Sequence, residues 1–331
     1  MKSSKELLDL INYQITQLDN LSPTMKLVKG PANLYEPIIY AMNQGGKRIR
    51  PTLLLLTNQA YGGNLDDAMY PAMGIELFHN FTLLHDDIMD RAVLRRGNPT
   101  VYHKWNSNIA ILSGDAMCAL AIKYIFKTKS EFMRVLTDTF IDMSIKVYEG
   151  QQYDADFENI DDVPINDYLN MIYLKTAVLI GAAMKIGAII AGKDETEQNR
   201  IYEYGCNVGM AFQLMDDLLD VYADEKTFGK KPGGDILCCK KTYVYLKALE
   251  VADPATRKEL KTVYCSTDMN PDEKIRKVTA AFDKLDVKAH TYNLVDDYYA
   301  KADKLMKDID ITSENKKQLV EYCNKLARRN Y

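Results

Sequence analysis

Two short acidic runs hold the residues of this sequence most suited to chemistry: Asp86-Asp87-Ile88-Met89-Asp90 and Asp216-Asp217-Leu218-Leu219-Asp220. Each lies in an apolar stretch of helical period, and residues four apart on a helix share a face. Asp86 with Asp90, and Asp216 with Asp220, would each present two carboxylates in one direction, with Asp87 and Asp217 about 100° around the helix. Six carboxylates brought around one cavity repel one another unless divalent cations sit among them. Hard oxygen donors without His or Cys favour Mg²⁺, which completes its octahedron with waters and substrate phosphate oxygens. The two runs therefore imply a phosphorylated ligand.

Three other Asp-Asp pairs, Asp66-Asp67, Asp161-Asp162 and Asp296-Asp297, lack the third Asp and read as solvated helix faces. One chance copy of the longer pattern is expected on the order of 0.1 times in such a chain, and two copies about tenfold more rarely.

Cations stand near both runs. Gly45-Gly46-Lys47-Arg48-Ile49-Arg50-Pro51 places three of them beside a glycine pair, where the backbone can approach an anion and Arg can grip two oxygens. His79 precedes Asp86 by seven residues, two helical turns and about 10.5 Å along the axis. It could donate to an anion near the first run, or it could be a satisfied core histidine. Arg95-Arg96-Gly97 follows that run, while Lys175-Thr176 and Gln213 precede the second. Gln213 is three residues before Asp216 and so on its face. Lys230 and Lys231 occupy a Gly-rich loop, and Lys240-Lys241-Thr242 comes next.

The elements that must position these groups are helices. Apolar residues recur at helical spacing between Gly and Pro breaks, and alternating strand patterns bounded by turn signals are almost absent. More than ten helical candidates fill the 331 residues, which predicts an all-α bundle and one domain over 1–331. Hydrophobic residues make up 47%, charged residues 27%, and the net charge is −4. That balance gives no global basic field for nucleic acid or an anionic membrane. The six cysteines show no C-x-x-C pair and no zinc spacing, so reduced thiols in the cytoplasm are expected. No signal-type apolar core opens the chain, and the most apolar segment, Leu179 to Ala191, is short and carries Lys185. It reads as a buried helix, with no stable membrane insertion expected. The stretch from Asp283 onward, rich in Lys, Asp and Tyr, reads as solvated helices over the core.

In order, GGKRIRP, ELFHNFTLLHDDIMD, LRRGNPT, YLKTA, FQLMDDLLD, FGKKPGGD and KKT resemble the trans-prenyl diphosphate synthase family, which includes farnesyl and geranylgeranyl diphosphate synthases. The matches run from Gly45 to Thr242. The resemblance implies an isoprenoid synthase-type bundle around a central cavity, with the two acidic runs facing each other at its mouth, in a homodimer. It implies Lys47, Arg50, His79 and Arg96 on the diphosphate of isopentenyl diphosphate, and Arg95, Lys175, Lys230 and Lys240 on the allylic diphosphate. It also implies Thr176 and Gln213 beside the reacting carbons and three Mg²⁺ ions, with Asp86, Asp90 and Asp216 as direct ligands. Asp87, Asp217 and Asp220 would act through waters or behind those ligands. Phe81 and Thr82, five and four positions before the first run, would set product length, with C20 expected and C15 next. One departure is Cys238-Cys239 before Lys240, where relatives more often show Gly or Asn in the second position. A terpene cyclase of the same fold, or a non-catalytic partner subunit, are the alternative readings. Cyclases usually change the second acidic run and lack the Lys47/Arg50/His79 set, and such subunits typically lose an acidic run.

Overall fold

The computed structural model describes residues 2–18, 30–223 and 232–327. In chain order these form α1 (Ser4–Thr16), α2 (Ala32–Asn43), α3 (Ile49–Ala60), α4 (Leu65–Met89), strands β1 (Leu94–Arg95) and β2 (Asn98–Pro99), α5 (Val101–Lys104), α6 (Ser107–Ile125), α7 (Ser130–Phe157) and α8 (Ile165–Ile172). A π-helical turn, Tyr173–Ala177, leads into α9 (Val178–Ile190) and α10 (Glu195–Tyr222). Then come α11 (Gly234–Leu237), α12 (Tyr243–Val251), α13 (Pro254–Tyr264), α14 (Pro271–Lys284), α15 (Val287–Asp308) and α16 (Ser313–Ala327). The all-α expectation holds.

Helix starts are written locally. Ser3 and Glu6 close a capping box on α1, Asn64 accepts from the Asp66 amide at the start of α4, and Asp253 and Asn270 cap α13 and α14, each followed by Pro at the first helical position. These satisfy amides that lack intrahelical partners, and Pro loses nothing there.

The chain divides into two compact units. The first takes the chain up to Ile141, Ala182–Asn199 and Asp310–Leu319. Within it α4 packs along α6, with α2 and α3 beside them. Gly74 lets α4 approach α6, since a Cβ there would stand 3.0 Å from the Ala121 carbonyl oxygen. Leu53–Leu56 and Ile75–Phe78 are buried in this core, which explains why α3 and much of α4 read as apolar on all sides.

The second unit takes Asp142–Gly181, Arg200–Ile309 and the chain from Val320. Its core joins Tyr168 and Met171 of α8, Leu214 and Leu218 of α10, Val244 and Leu249 of α12, and Phe282 and Tyr299. On α15, Val287, Thr291, Val295, Tyr299, Ala302 and Met306 form the buried stripe, while Asp296 and Asp297 are exposed. The C-terminal helices are thus solvated on one side only. By length and composition, Ser107–Ile125 and Ile165–Ile190 could cross a membrane. The second is 72% buried within the protein, as a core helix would be.

Candidate active site

Both acidic runs fall at the C-terminal end of a long helix. Asp86 and Asp87 lie in the last turn of α4 with Asp90 as its C-cap, and Asp216, Asp217 and Asp220 lie in the last two turns of α10. A helix C-terminus is the negative end of its dipole and normally carries Lys or Arg, yet no basic residue stands in either last turn. Such ends repel carboxylates and attract cations. The other Asp pairs behave differently: Asp66 and Asp67 start α4, where acids are favoured, and Asp162 pairs with Arg257 and Lys261.

In each run the second carboxylate turns into the protein. Asp87 is buried and accepts from Arg95 Nε at 2.8 Å and pairs with Arg95 Nη2 at 2.7 Å. Burial raises its pKa against the pull of that guanidinium. Asp217 accepts from Tyr168 Oη at 2.5 Å, Gln213 Nε2 at 3.0 Å and the Tyr243 amide at 3.4 Å. Burial pushes its carboxyl up to about 8, opposed by the Tyr168 hydrogen bond. Asp86 and Asp216 are half-buried and Asp90 is exposed. Asp220 accepts from the Asp235 amide at 2.8 Å, and its carbonyl accepts from the Gly233 amide at 2.5 Å, so it anchors the start of α11. Among the described residues no three His, Cys, Asp or Glu side chains are already brought together as a metal-holding group.

Around the first run, arginines dominate. Arg48, in the left-handed region at φ 46°, sends Nη1 to Glu76 Oε1 at 2.6 Å and Nη2 to the Met42 carbonyl. Two residues on, Arg50 Nη1 lies 3.1 Å from His79 Nε2. Guanidinium only donates, so Nε2 accepts and the imidazole is neutral. Burial, then Arg50, Arg96, Arg95 and Arg48, hold the His79 pKa well below the usual range. The sequence left His79 either donating to an anion or satisfied within the core, and here its Nε2 accepts from Arg50 Nη1. Arg96 and Gly97 take φ 53° and 76° between β1 and β2, as a two-residue hairpin loop requires, and Arg96 Nη1 donates to the Gly45 carbonyl. This hairpin joins Arg96 to the Gly45-Gly46 segment, and Lys47 in that segment is exposed. The sequence pattern missed the hairpin because its strands are two residues long.

Phe81 is buried, edge-on to His85 at 4.7 Å and 5.6 Å from Phe78. Thr82 Oγ1 donates to the His79 carbonyl at 2.8 Å.

The second unit gathers Lys175, Thr176, Gln213 and Lys240. Lys175 and Thr176 lie in the π-helical turn, a distortion found frequently at functional positions. Thr176 Oγ1 donates to Gln213 Oε1 at 3.0 Å, and Gln213 passes the chain on to Asp217. Lys175 Nζ reaches Asp154 Oδ2 at 2.8 Å, and Lys240 Nζ reaches Glu158 Oε1 at 2.8 Å and Asp154 Oδ2 at 3.9 Å. Asp154, Glu158 and Tyr168 had no local signal in the sequence. Lys230 lies outside the described residues.

Comparison with known proteins identifies the family and the fold. The model of the polyprenyl synthetase family matches residues 31–282. Geranylgeranyl diphosphate synthase of Methanosarcina mazei is 39% identical over 246 residues, 74% of this chain and 76% of that one. The enzyme of that name from Sulfolobus acidocaldarius is 35% identical over 297 residues, 87% of this chain and 89% of that one. A crystal structure of geranylgeranyl pyrophosphate synthase superposes with a TM-score of 0.92 at 43% identity, covering 100% of both chains. The fold is that of the all-α isoprenoid synthases. Within it, the chain belongs to the polyprenyl synthetase family and is a prenyltransferase.

Proposed function

We propose that this chain is a short-chain trans-prenyl diphosphate synthase, condensing isopentenyl diphosphate with an allylic diphosphate and releasing pyrophosphate. The observation that carries this reading is the pair of acidic runs on negative helix ends, each beside its own set of cations. The donor set fits Mg²⁺: carboxylate oxygens alone, with Asp86 and Asp216 half-buried and Asp90 exposed. When bound, Mg²⁺ would neutralise the diphosphate and draw negative charge toward the leaving oxygen. Asp87, Asp217 and Asp220 hold the surrounding protein groups and stand behind the ligands. Three ions and a single domain over 1–331 complete the reading.

Lys175, Lys230 and Lys240 with Arg95 bind the allylic diphosphate, and Lys175 and Lys240 exchange their Asp154 and Glu158 partners for its oxygens. Lys47, Arg50, His79 and Arg96 bind isopentenyl diphosphate, with His79 acting by fixing Arg50. Charge growing on the departing diphosphate is stabilised by these preset cations. The allylic C–O bond breaks, the isopentenyl double bond attacks the resulting cation, and the released pyrophosphate takes the proton. Thr176 and Gln213 lie beside the reacting carbons, and apolar walls exclude the water that would quench the cation.

Phe81 as the stop and small Thr82 favour a C20 product, geranylgeranyl diphosphate, over C15. A homodimer completes this reading. A cytoplasmic location is part of this reading. Incubating purified chain with Mg²⁺, isopentenyl diphosphate and each allylic diphosphate, then sizing the products, tests the reading. No elongation with any primer would overturn it.

A further inference from the structure

Cys239 stands immediately before Lys240 with φ 55°, a left-handed conformation that is strained for a side chain other than Gly or Asn. Its half-buried sulfur lies 3.1 Å from the Tyr264 carbonyl oxygen, to which the thiol donates. On its other side Lys274 Nζ donates to the same sulfur at 3.3 Å. Lys274 is 3% exposed. Among the described residues its ammonium meets that sulfur and, at 6.0 Å, the face of the Tyr264 ring, and no carboxylate pairs with it. It also stands in the first turns of α14, at the positive end of the dipole. A buried ammonium is costly without a counter-charge, and the prenyl-transfer chemistry above makes no use of it. Among the described residues, the one atom to which its ammonium donates is a sulfur that can gain a negative oxygen.

We propose that Cys239 is an oxidation site for hydroperoxides, with Lys274 holding the oxygen that the sulfur acquires. The sulfur attacks one peroxide oxygen, the O–O bond breaks and an S–O bond forms. Sulfur loses two electrons, the peroxide gains them, and the thiol proton leaves with the departing hydroxide as water, or as an alcohol from an organic peroxide. The sulfenic oxygen then faces the ammonium. Oxidation also removes the S–H donor from the Tyr264 carbonyl. Tyr264 Oη donates to the Lys240 carbonyl at 2.6 Å, so the change is passed to the residue that bears Lys240 Nζ. On the reading of Lys240 as an allylic diphosphate ligand, oxidation raises KM for the allylic substrate.

The test compares adjacent thiols in one protein. The purified chain is treated with hydrogen peroxide, sulfenic acid is trapped with dimedone, and peptide fragment ions separate Cys239 from Cys238. Cys238 and Cys265 are more exposed and serve as internal references. Cys239 is expected to be labelled at least about tenfold faster than Cys238, and K274M to remove that advantage while K274R keeps it. Cys238 labelling as fast as Cys239 in the unaltered chain overturns the proposal without any variant, as does an unchanged Cys239 rate in folded K274M. Peroxide should raise the allylic KM of the unaltered chain and leave C239G unaffected. Labelling is read without turnover, so a chain that labels as expected but elongates nothing refutes the synthase reading and not this one.

Discussion

Arg48 and Glu76 form a 2.6 Å ion pair whose side chains are 2% and 3% exposed, and each neighbours one member of the Arg50–His79 contact. Asn80 Nδ2 also donates to the same Glu76 oxygen at 3.0 Å. The pair thus locks the left-handed turn before α3 onto α4. Glu76→Ala should lower stability in urea by about 3–5 kcal/mol, because it strands a buried guanidinium. Glu76→Gln, which can still accept from Arg48, should lose markedly less. Equal losses would show that the negative charge, and not the hydrogen-bond acceptor alone, holds the turn.

His79 gives a pH dependence of definite sign. In the unfolded chain it takes up a proton near pH 6.5, while in the fold burial and the arginines hold its pKa well below that. Between those two values the unfolded state binds more protons, so this residue's contribution makes stability fall as pH drops below about 6.5, by up to about 1.4 kcal/mol per pH unit. His79→Gln keeps an acceptor for Arg50 and cannot titrate. Its stability should therefore decline less than the unaltered protein's between about pH 7 and pH 5. Parallel declines would refute the assignment.

Asp86→Ala or Asp216→Ala should lower turnover by several orders of magnitude, as expected when a metal ligand at the leaving group is removed. The melting temperature without Mg²⁺ should not fall, since each change relieves repulsion at a negative helix end. Near-normal turnover in either variant would sink the metal assignment.

Phe81→Ala tests the product-length reading. Removing the ring should cost about 3–5 kcal/mol of stability and lengthen the products by one or more isoprene units on chromatographic sizing. An unchanged product distribution would mean that another residue closes the pocket.

Much of this could be read from the residues alone, for reasons of range. Helices announce themselves within a dozen residues through period and caps, as Ser3 and Glu6 do on α1. The acidic runs were legible because the pattern repeats and its nearest decoys lack the third Asp. What stayed hidden depends on pairs brought together by folding. Arg48 and Glu76 are 28 residues apart, Lys175 and Asp154 are 21, Tyr168 and Asp217 are 49, and Lys240 and Glu158 are 82. No local spacing encodes such partners. His79 shows the intermediate case, because periodicity put it on the right helix but could not show that Arg50 would take its Nε2.

The π-turn at Tyr173–Ala177 makes the apolar rod from Ile165 to Ile190 a splice of two helices that are out of phase by one residue. Its two halves therefore present their stripes in different frames, and the extra residue is the hinge between them. Deleting a single residue there would leave composition and hydropathy almost untouched and favour ordinary winding, yet it would turn one half by about 100° relative to the other. Gly150 fits against this splice, since a Cβ there would come within 2.7 Å of Lys175 Cα. The frame offset is thus keyed by a neighbouring helix, and a chain shortened by one residue should fold as a helical protein whose Lys175 and Thr176 no longer share a side with Asp154 and Gln213.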